Sequence, residues 1–207
     1  MEAPGKREQI LVAAEQLFAE HGYDGTSIRA LAGKANVNVA MISYYFGSKE
    51  KLFEALVEYR AAFVYERLKS LSEETSDPME RMEKVIDFYV DKIFSHIRFH
   101  RILHRQLTLQ QRSTLNEAIA TILARNSEEV RKIIEDGISK KIFHQVDPGM
   151  LILSMTGTIS QITNSSLLSC RILHLPEGHQ HCQDPDFRSR VKSYLKDLVK
   201  HFLIRKT

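Results

Sequence analysis

The first 46 residues contain three apolar stripes at helical spacing, and this pattern constrains the fold more than any other feature of the chain. The first stripe lies in a helix that we predict over 7–21, with Gly22 as its stop. Its apolar residues are Ile10, Ala13, Ala14, Leu17 and Phe18. Helices this short are marginal in isolation, so the segment must be supported by tertiary packing.

A second short helix is predicted after the turn at 22–25, with Thr26 at the position of its N-cap. Its apolar residues are Ile28, Leu31 and Ala32. The following segment, 33–37, is typical of a tight turn, because it combines small residues with Asn36, which tolerates left-handed backbone geometry.

A third short helix is predicted to begin near Asn38 and to run to Phe46, where Gly47 ends it. Ser48 is then expected to cap a longer helix whose apolar residues recur at helical spacing to about Leu71. The pattern is therefore two short helices around a turn, flanked by two longer ones.

The rest of the chain is also helical in pattern, and we predict no strand. The next helix should start at Pro78 behind an Asp77 cap. Further helices are expected near 78–97, 99–110, 113–139, 148–170 and 185–204. The prediction is an all-α protein of about nine helices, divided into a helix-turn-helix head (1–47), a connecting helix (48–71) and a helical effector-binding and dimerisation domain (72–207).

Composition is that of a globular protein, with 43% apolar and 27% charged residues. No apolar run approaches the length of a membrane span, and the first eight residues include four charged side chains, so we expect a cytoplasmic protein without a membrane partner.

The net charge of the whole chain is +3, yet residues 1–72 contain nine Lys and Arg against nine Asp and Glu. Any affinity for nucleic acid must therefore come from individually placed cations and helix N-termini.

Two short helices joined by a tight turn and braced by a preceding helix have the geometry that places a recognition helix in the major groove of DNA. Inward positions must then be apolar, and Ile28, Leu31, Val37, Ile42 and Phe46 meet this requirement. The outward positions of the third helix are Asn38, Val39, Ala40, Met41, Ser43 and Tyr44. Their small, polar and aromatic groups suit contacts with base edges, thymine methyls and phosphates.

Residues 10–56 resemble the TetR/AcrR family of repressors. The matching motifs are His21-Gly22-Tyr23, Thr26-Ser27-Ile28, Ala32 with Ala35 and Val37, Tyr44-Tyr45-Phe46, and Ser48-Lys49-Glu50-Lys51-Leu52. This chain departs from the usual family pattern at Asn36, Asn38, Ala40 and Ser43. Asn38 can still cap a helix, whereas Ser43 replaces a family Tyr that normally contacts a phosphate.

The resemblance implies a set of DNA contacts. Phosphate contacts are implied for Thr26, Ser27, Tyr45 and Lys49, and base contacts for Arg29, Val39, Ala40, Met41 and Ser43. The resemblance also implies an effector pocket beyond about residue 72 and a two-fold interface made by the last two helices. The expected mechanism is a homodimer that blocks transcription until a small-molecule effector changes the separation of its heads.

The last two predicted helices have apolar stripes that agree with such an interface. These residues are Leu151, Leu153, Met155, Ile159, Ile162 and Leu167, then Val191, Tyr194, Leu195, Leu198, Val199 and Phe202. The same stripes could instead close the core of a monomer. The aromatic and Met residues that could line an effector pocket, among them Met82, Phe88, Tyr89, Phe94 and Phe99, are typical of core, so effector residues stay unassigned.

Two alternatives compete with a DNA-binding repressor. A metal-responsive regulator could use His96, His100 and His104, spaced by four residues, or the later group His174, His179, His181 and Cys182. The same stretch holds Arg98, Arg101 and Arg105, so it is equally a basic face that could bind an anionic effector. A helical protein-protein adaptor is the second alternative. We expect that the protein is not an enzyme and binds no metal or cofactor. The sequence has no glycine-rich phosphate loop and no set of residues typical of a catalytic site.

Overall fold

The computed structural model describes residues 5–108, 113–176 and 181–204. Within these ranges the chain forms ten α-helices, one short 3₁₀ helix at His181–Gln183, and no strand. The helices are α1 (Lys6–His21), α2 (Ile28–Lys34), α3 (Val39–Phe46), α4 (Lys49–Glu74), α5 (Pro78–Ser95), α6 (Ile97–Thr108), α7 (Ser113–Ser139), α8 (Pro148–Asn164), α9 (Ser166–Ile172) and α10 (Pro185–Leu203). The all-α prediction is confirmed.

Several predicted helix ends shift. The helix predicted over 148–170 is interrupted at Ser165, which separates α8 from α9. The connecting helix continues past the predicted Leu71 to Glu74, and α5 ends at Ser95, two residues before the predicted end at 97. The last two residues of the helix predicted over 99–110 lie outside the described residues.

Three helices start with the same pair of residues, an Asp followed by Pro. Asp77, Asp147 and Asp184 each accept a hydrogen bond from a backbone N–H in the first helical turn, at 2.9, 2.8 and 2.9 Å. The Pro at the next position needs no partner for its nitrogen, and its fixed φ favours the helix. The Asp-Pro pair therefore sets the first residues of α5, α8 and α10, which are Pro78, Pro148 and Pro185.

The helices form two compact units. The first contains residues up to Phe63 together with 98–124, and the second contains 64–97 together with residues from Arg125 onward. Packing therefore assigns most of α6 and the first part of α7 to the N-terminal unit. The functional division into 1–47, 48–71 and 72–207 stays a prediction.

The core of the N-terminal unit buries the predicted stripes of α1, α2 and α3. Phe18, Leu31 and Ile42 are almost fully buried, and they pack with Leu52 and Phe53 of α4 in one apolar cluster. Residues of α6 and α7 complete this cluster, namely Ile102, Leu103, Leu115 and Ile119. Burial of these side chains supplies the tertiary support that the short helices need.

The core of the second unit is built on α5 and α10. Met82, Val90 and Leu195 are fully buried in its apolar cluster. Three ion pairs join the rims of the same two helices: Lys192 and Arg188 pair with Asp91, at 2.7 and 3.5 Å, and Lys196 pairs with Asp87, at 2.7 Å. Another ion pair joins buried Arg81 of α5 to Asp136 of α7. Among the described residues, no helix is long and apolar enough to cross a membrane.

Candidate DNA-binding site

The turn between α2 and α3 occupies the four residues 35–38. Its chain reversal depends on Asn36, which has φ of 50° and lies in the left-handed region. The backbone N–H of Val37 donates to the carbonyl of Ala32 at 3.0 Å, and this bond ties the turn to α2. Asn38 then caps α3, accepting a hydrogen bond from the N–H of Met41 at 2.8 Å. The predicted tight turn and the predicted Asn38 cap are both present.

α3 has one buried face and one exposed face. Ile42 and Phe46 point into the core, with 1% and 8% of their surface exposed. On the other side, Tyr44 is 84% exposed and Val39 is 42% exposed, although apolar and aromatic groups of this size are usually covered. The predicted contact residues Asn38, Ala40, Ser43 and Tyr45 are also exposed, and Met41 is half-buried. The structure therefore places these predicted residues on an accessible helix surface.

Arg29 and Ser27 of the α2 start are exposed as well. Ser27 is the N-cap of α2, because its Oγ accepts a hydrogen bond from the N–H of Ala30 at 3.1 Å. The prediction that Thr26 caps this helix is wrong. The side chain of Thr26 turns inward instead, is 1% exposed, and has its hydroxyl 2.7 Å from the carbonyl oxygen of Gly22.

The same hydroxyl lies 3.1 Å from the carbonyl oxygen of Leu17, so Thr26 fastens the turn before α2 to the end of α1. A hydroxyl donated inward from a buried side chain is not presented to a phosphate outside. We therefore leave Thr26 out of the proposed interface, and assign the α2 end of that interface to Ser27 and Arg29.

Lys49, at the first position of α4, has a structural role that the sequence did not indicate. Its Nζ donates to the carbonyl oxygens of Tyr23 and Thr26, each at 3.0 Å. Nζ also lies 4.5 Å from the centroid of the Tyr23 ring, within the range of a cation–π interaction. Because an ammonium group has three donors, one N–H is left over for the phosphate contact that the resemblance implies.

Tyr23 is the residue of this site that sequence reasoning missed. It is 7% exposed and stacks on Phe18, with ring centroids 5.5 Å apart, while Phe53 meets both rings edge-on. The Lys49 ammonium lies over this ring. No local spacing predicts a contact between residues so distant in the sequence. The only signal was the presence of Tyr23 in the His21-Gly22-Tyr23 motif.

The metal alternative finds no support in the geometry. His96 ends α5 as its C-cap, whereas His100 and His104 lie on α6, so the three histidines do not step along one helical face. In the later group, His179 lies outside the described residues, and the Sγ of Cys170 lies 3.4 Å from Nδ1 of His181. Among the described residues, no group of three or more His, Cys, Asp or Glu could hold a metal ion.

The exposed, capped α3 beside α2 across a tight turn defines a protein of the helix-turn-helix class. The family model of the bacterial regulatory proteins of the tetR family matches residues 10–56, and a tetracyclin repressor-like C-terminal domain model matches residues 75–164. The HTH-type transcriptional repressor NicS of Pseudomonas putida is 30% identical over 69% of this chain and 68% of its own. The chain belongs to the TetR family of transcriptional regulators.

Other relatives agree with this assignment. The HTH-type transcriptional repressor AcnR of Corynebacterium efficiens is 34% identical over 60% of this chain and 68% of its own. The solved structure of the regulator FadR from Bacillus subtilis, in complex with stearoyl-CoA, has the same fold, with a TM-score of 0.78 over 95% of this chain and 99% of that chain at 19% identity. The predicted family is confirmed, and with it the prediction of a DNA-binding transcriptional regulator.

Proposed function

We propose that the chain acts as a homodimeric repressor that inserts one α3 into each of two successive major grooves of a partly palindromic operator. The exposed face of α3 is the observation that supports this proposal, because Tyr44 is 84% exposed on a helix held rigidly by its cap and its buried side. Regulation at DNA implies action in the cytoplasm, and we propose no catalytic activity.

The proposed interface separates two kinds of contact. Base edges and thymine methyls are contacted by Arg29 and by the exposed face of α3, through Val39, Ala40, Met41, Ser43 and Tyr44. Phosphates are contacted by Ser27, Tyr45 and the remaining donor of Lys49. Asn38 positions α3 by capping it, and its accepting oxygen is already used by the N–H of Met41.

The homodimer is proposed to form through α8, α9 and α10. The predicted stripes of α8 and α10 divide in the structure, since Met155 and Leu195 are buried in the core of the second unit while Leu153 and Tyr194 are 65% and 55% exposed. A groove of about 630 Å³ lies between these helices and is lined by Tyr194. An apolar surface of this kind is typical of the obligate interface between subunits.

We further propose that a small-molecule effector bound by the second unit releases the operator through α4. This helix starts at the Ser48 cap beside the proposed DNA surface and continues without a break across the unit boundary after Phe63. A tilt of one helix would thus move Lys49 relative to its phosphate. Spin labels on α3 of both subunits should give different separations with and without a bound effector. One separation in both states would contradict this mechanism.

The function is tested by selecting bound duplexes from a random pool with the full-length protein. We expect enrichment of a partly palindromic sequence whose half-sites are separated by about one helical turn, roughly 10 base pairs. Affinity for that sequence should fall steeply with salt concentration. Tyr44→Ala should weaken binding at least about tenfold while leaving the melting temperature nearly unchanged, because the side chain is exposed.

The adaptor alternative makes the opposite prediction in the same experiment. A protein-binding adaptor would enrich no sequence, and its weak affinity for duplex DNA would not respond to Tyr44→Ala. Either result would overturn the proposed function.

A further inference from the structure

We propose that the N-terminal unit contains a second ligand site, an arginine-lined cleft that binds a small organic anion with two or more negative charges. The cleft lies between α6 and the turn that joins α1 to α2. We call it the arginine cleft. Its polar and charged lining residues are Glu20, His21, Asp24, Arg98, Arg101, Arg105 and Gln106.

The three arginines lie on one face of α6. Positions 98, 101 and 105 are spaced by three and four residues, so their side chains emerge in a row along one side of the helix. The turn closes the opposite side, and a Cβ built on Gly22 would lie 3.7 Å from a terminal nitrogen of Arg105. The guanidinium group of Arg105 therefore reaches the turn itself.

Two of these guanidinium groups are available to a ligand. No ion pair among the described residues involves Arg98 or Arg105, and both are exposed. Arg101 and Asp24 already take part in other interactions, and Glu20 lies 3.9 Å from His21. Guanidinium groups that have no ion-pair partner and face a common cleft suit a bound oxyanion, because each planar fork can donate two hydrogen bonds to it.

The size of the cleft indicates an organic anion and not a lone inorganic ion. Its volume is about 500 Å³, which lies within the range of small-molecule sites. Apolar side chains form part of the wall, where Tyr23 and Ile102 line the cleft. Such a wall accommodates the carbon skeleton of a ligand while the arginines bind its phosphate or carboxylate groups.

The cleft shares its wall with the segment that positions α2. Residues 22–25 line the cleft, and the same segment is fastened by Thr26 to Gly22 and by Lys49 to Tyr23. This segment is followed two residues later by Ser27, which caps α2 in the proposed DNA surface.

An anion bound in the arginine cleft would add negative charge beside the proposed DNA surface and shift segment 22–25. We infer that it lowers the affinity for DNA, and by linkage DNA lowers the affinity for the anion by the same factor.

The coupling to DNA depends on the proposed function, whereas anion binding does not, so the two are measured separately. Isothermal titration calorimetry of the full chain would use fructose 1,6-bisphosphate and citrate, with sodium chloride matched for ionic strength. We expect one of the two probes to bind, and the comparison separates phosphate from carboxylate preference. The double variant Arg98→Gln/Arg105→Gln should bind that probe at least about tenfold more weakly.

A matched control removes two surface cations from the second unit. Arg131→Gln/Lys132→Gln lowers the net charge by the same amount and should leave probe binding unchanged. Equal loss in both double variants, or no saturable binding of either probe to the wild type, would overturn the site. All variants should retain the wild-type melting temperature within a few degrees, because Arg98, Arg105 and Lys132 are exposed and half-buried Arg131 makes only surface ion pairs.

The coupling is measured as the affinity for the selected duplex with and without the binding probe at constant ionic strength. The wild type should bind DNA more weakly with the probe, and the arginine variant should not respond. If the arginine variant instead reduces the salt dependence of DNA binding without any probe, Arg98 and Arg105 contact DNA phosphates and the proposal is wrong.

Discussion

The ammonium group of Lys49 donates a hydrogen bond to the backbone carbonyl of Tyr23 at 3.0 Å and lies 4.5 Å from the centroid of its ring. This contact joins the start of α4 to the turn between α1 and α2, two segments that are 26 residues apart in the sequence. Both flank the proposed DNA surface. Lys49 is therefore part of the support of the site as well as a candidate phosphate contact.

Lys49→Met tests both roles at once. It removes two hydrogen bonds from a charged donor in a half-buried position, and we expect a loss of about 2 kcal/mol in the free energy of unfolding. If the third N–H contacts a phosphate, the slope of log affinity for DNA against log salt should fall by about 2 for the dimer. Chemical denaturation and DNA titrations at several salt concentrations measure the two effects.

Lys51→Met is the matched control for Lys49, since it removes the same charge two residues away. Lys51 is exposed and pairs only at the surface with Glu54, at 2.7 Å. Such a pair contributes less than about 1 kcal/mol, so stability should change little and the salt slope should be retained. Indistinguishable effects of the two variants would contradict the role of Lys49.

Thr26→Val tests whether Thr26 acts from inside the fold. The substitution keeps the shape but removes the hydroxyl that is bonded to the carbonyl oxygens of Leu17 and Gly22. We expect a loss of about 1–2 kcal/mol in the free energy of unfolding and weaker DNA binding with an unchanged salt slope. Ser27→Ala, by contrast, removes an exposed cap hydroxyl, and it should weaken DNA binding by more than its loss of about 1 kcal/mol in stability explains. Weaker DNA binding with unchanged stability in Thr26→Val would show that its hydroxyl acts outside the fold.

Helix starts and the interhelical turn were predictable because they depend on a few neighbouring residues. Asn38 accepts from Met41 and Ser48 accepts from Lys51, both three residues ahead. The positive φ of Asn36 is likewise a local property of Asn in a tight turn. Residues whose side chains accept hydrogen bonds from the N–H groups of the first helical turn can therefore be recognised in the sequence.

Whether Thr26 or Ser27 caps α2 could not be predicted, because Ser and Thr are both favourable N-cap residues. Tertiary packing determines which residue caps α2. The side chain of Thr26 is buried against the end of α1, where its hydroxyl lies 3.1 Å from the carbonyl oxygen of Leu17, and Ser27 is left to cap the helix. The break at Ser165 was missed for a related reason. Apolar residues continue on both sides of it, and periodicity alone does not distinguish one helix from two.

That most of α6 and the first part of α7 belong to the N-terminal unit could not be predicted from the sequence. Ile102 and Ile119 join the same apolar cluster as Phe18, although they are far apart in the chain. Hydrophobic patterns show that a face is buried but not which partner buries it. The arginine cleft depends on this association, and for that reason the sequence indicated only a basic face.

Leu153→Glu tests the proposed dimer. The side chain is 65% exposed on α8, so a charge there costs little in the isolated subunit but is strongly unfavourable in an apolar interface. We expect analytical ultracentrifugation to show a shift from dimer to monomer, together with a large loss of operator affinity. Phe63→Glu is the control, because Phe63 is 59% exposed on α4 and should not affect the dimer. A dimeric Leu153→Glu protein would place the interface elsewhere.

His100 and His104 of α6 provide a prediction about pH. Their ring centroids are 4.4 Å apart, and burial, followed by the charge of His104, lowers the pKa of His100 from 6.5 to about 3. Burial also lowers the pKa of His104. Between pH 6.5 and 3 the unfolded chain binds protons that the folded chain does not, so stability must fall as the pH falls through this window.

For His100 alone we expect a loss of about 2 kcal/mol in the free energy of unfolding between pH 7 and pH 5. His100→Gln should remove that part of the pH dependence, whereas His201→Gln, at an exposed position of α10, should retain it. Urea titrations at the two pH values give the comparison. If both variants lose stability on acidification as the wild type does, His100 is protonated in the folded protein.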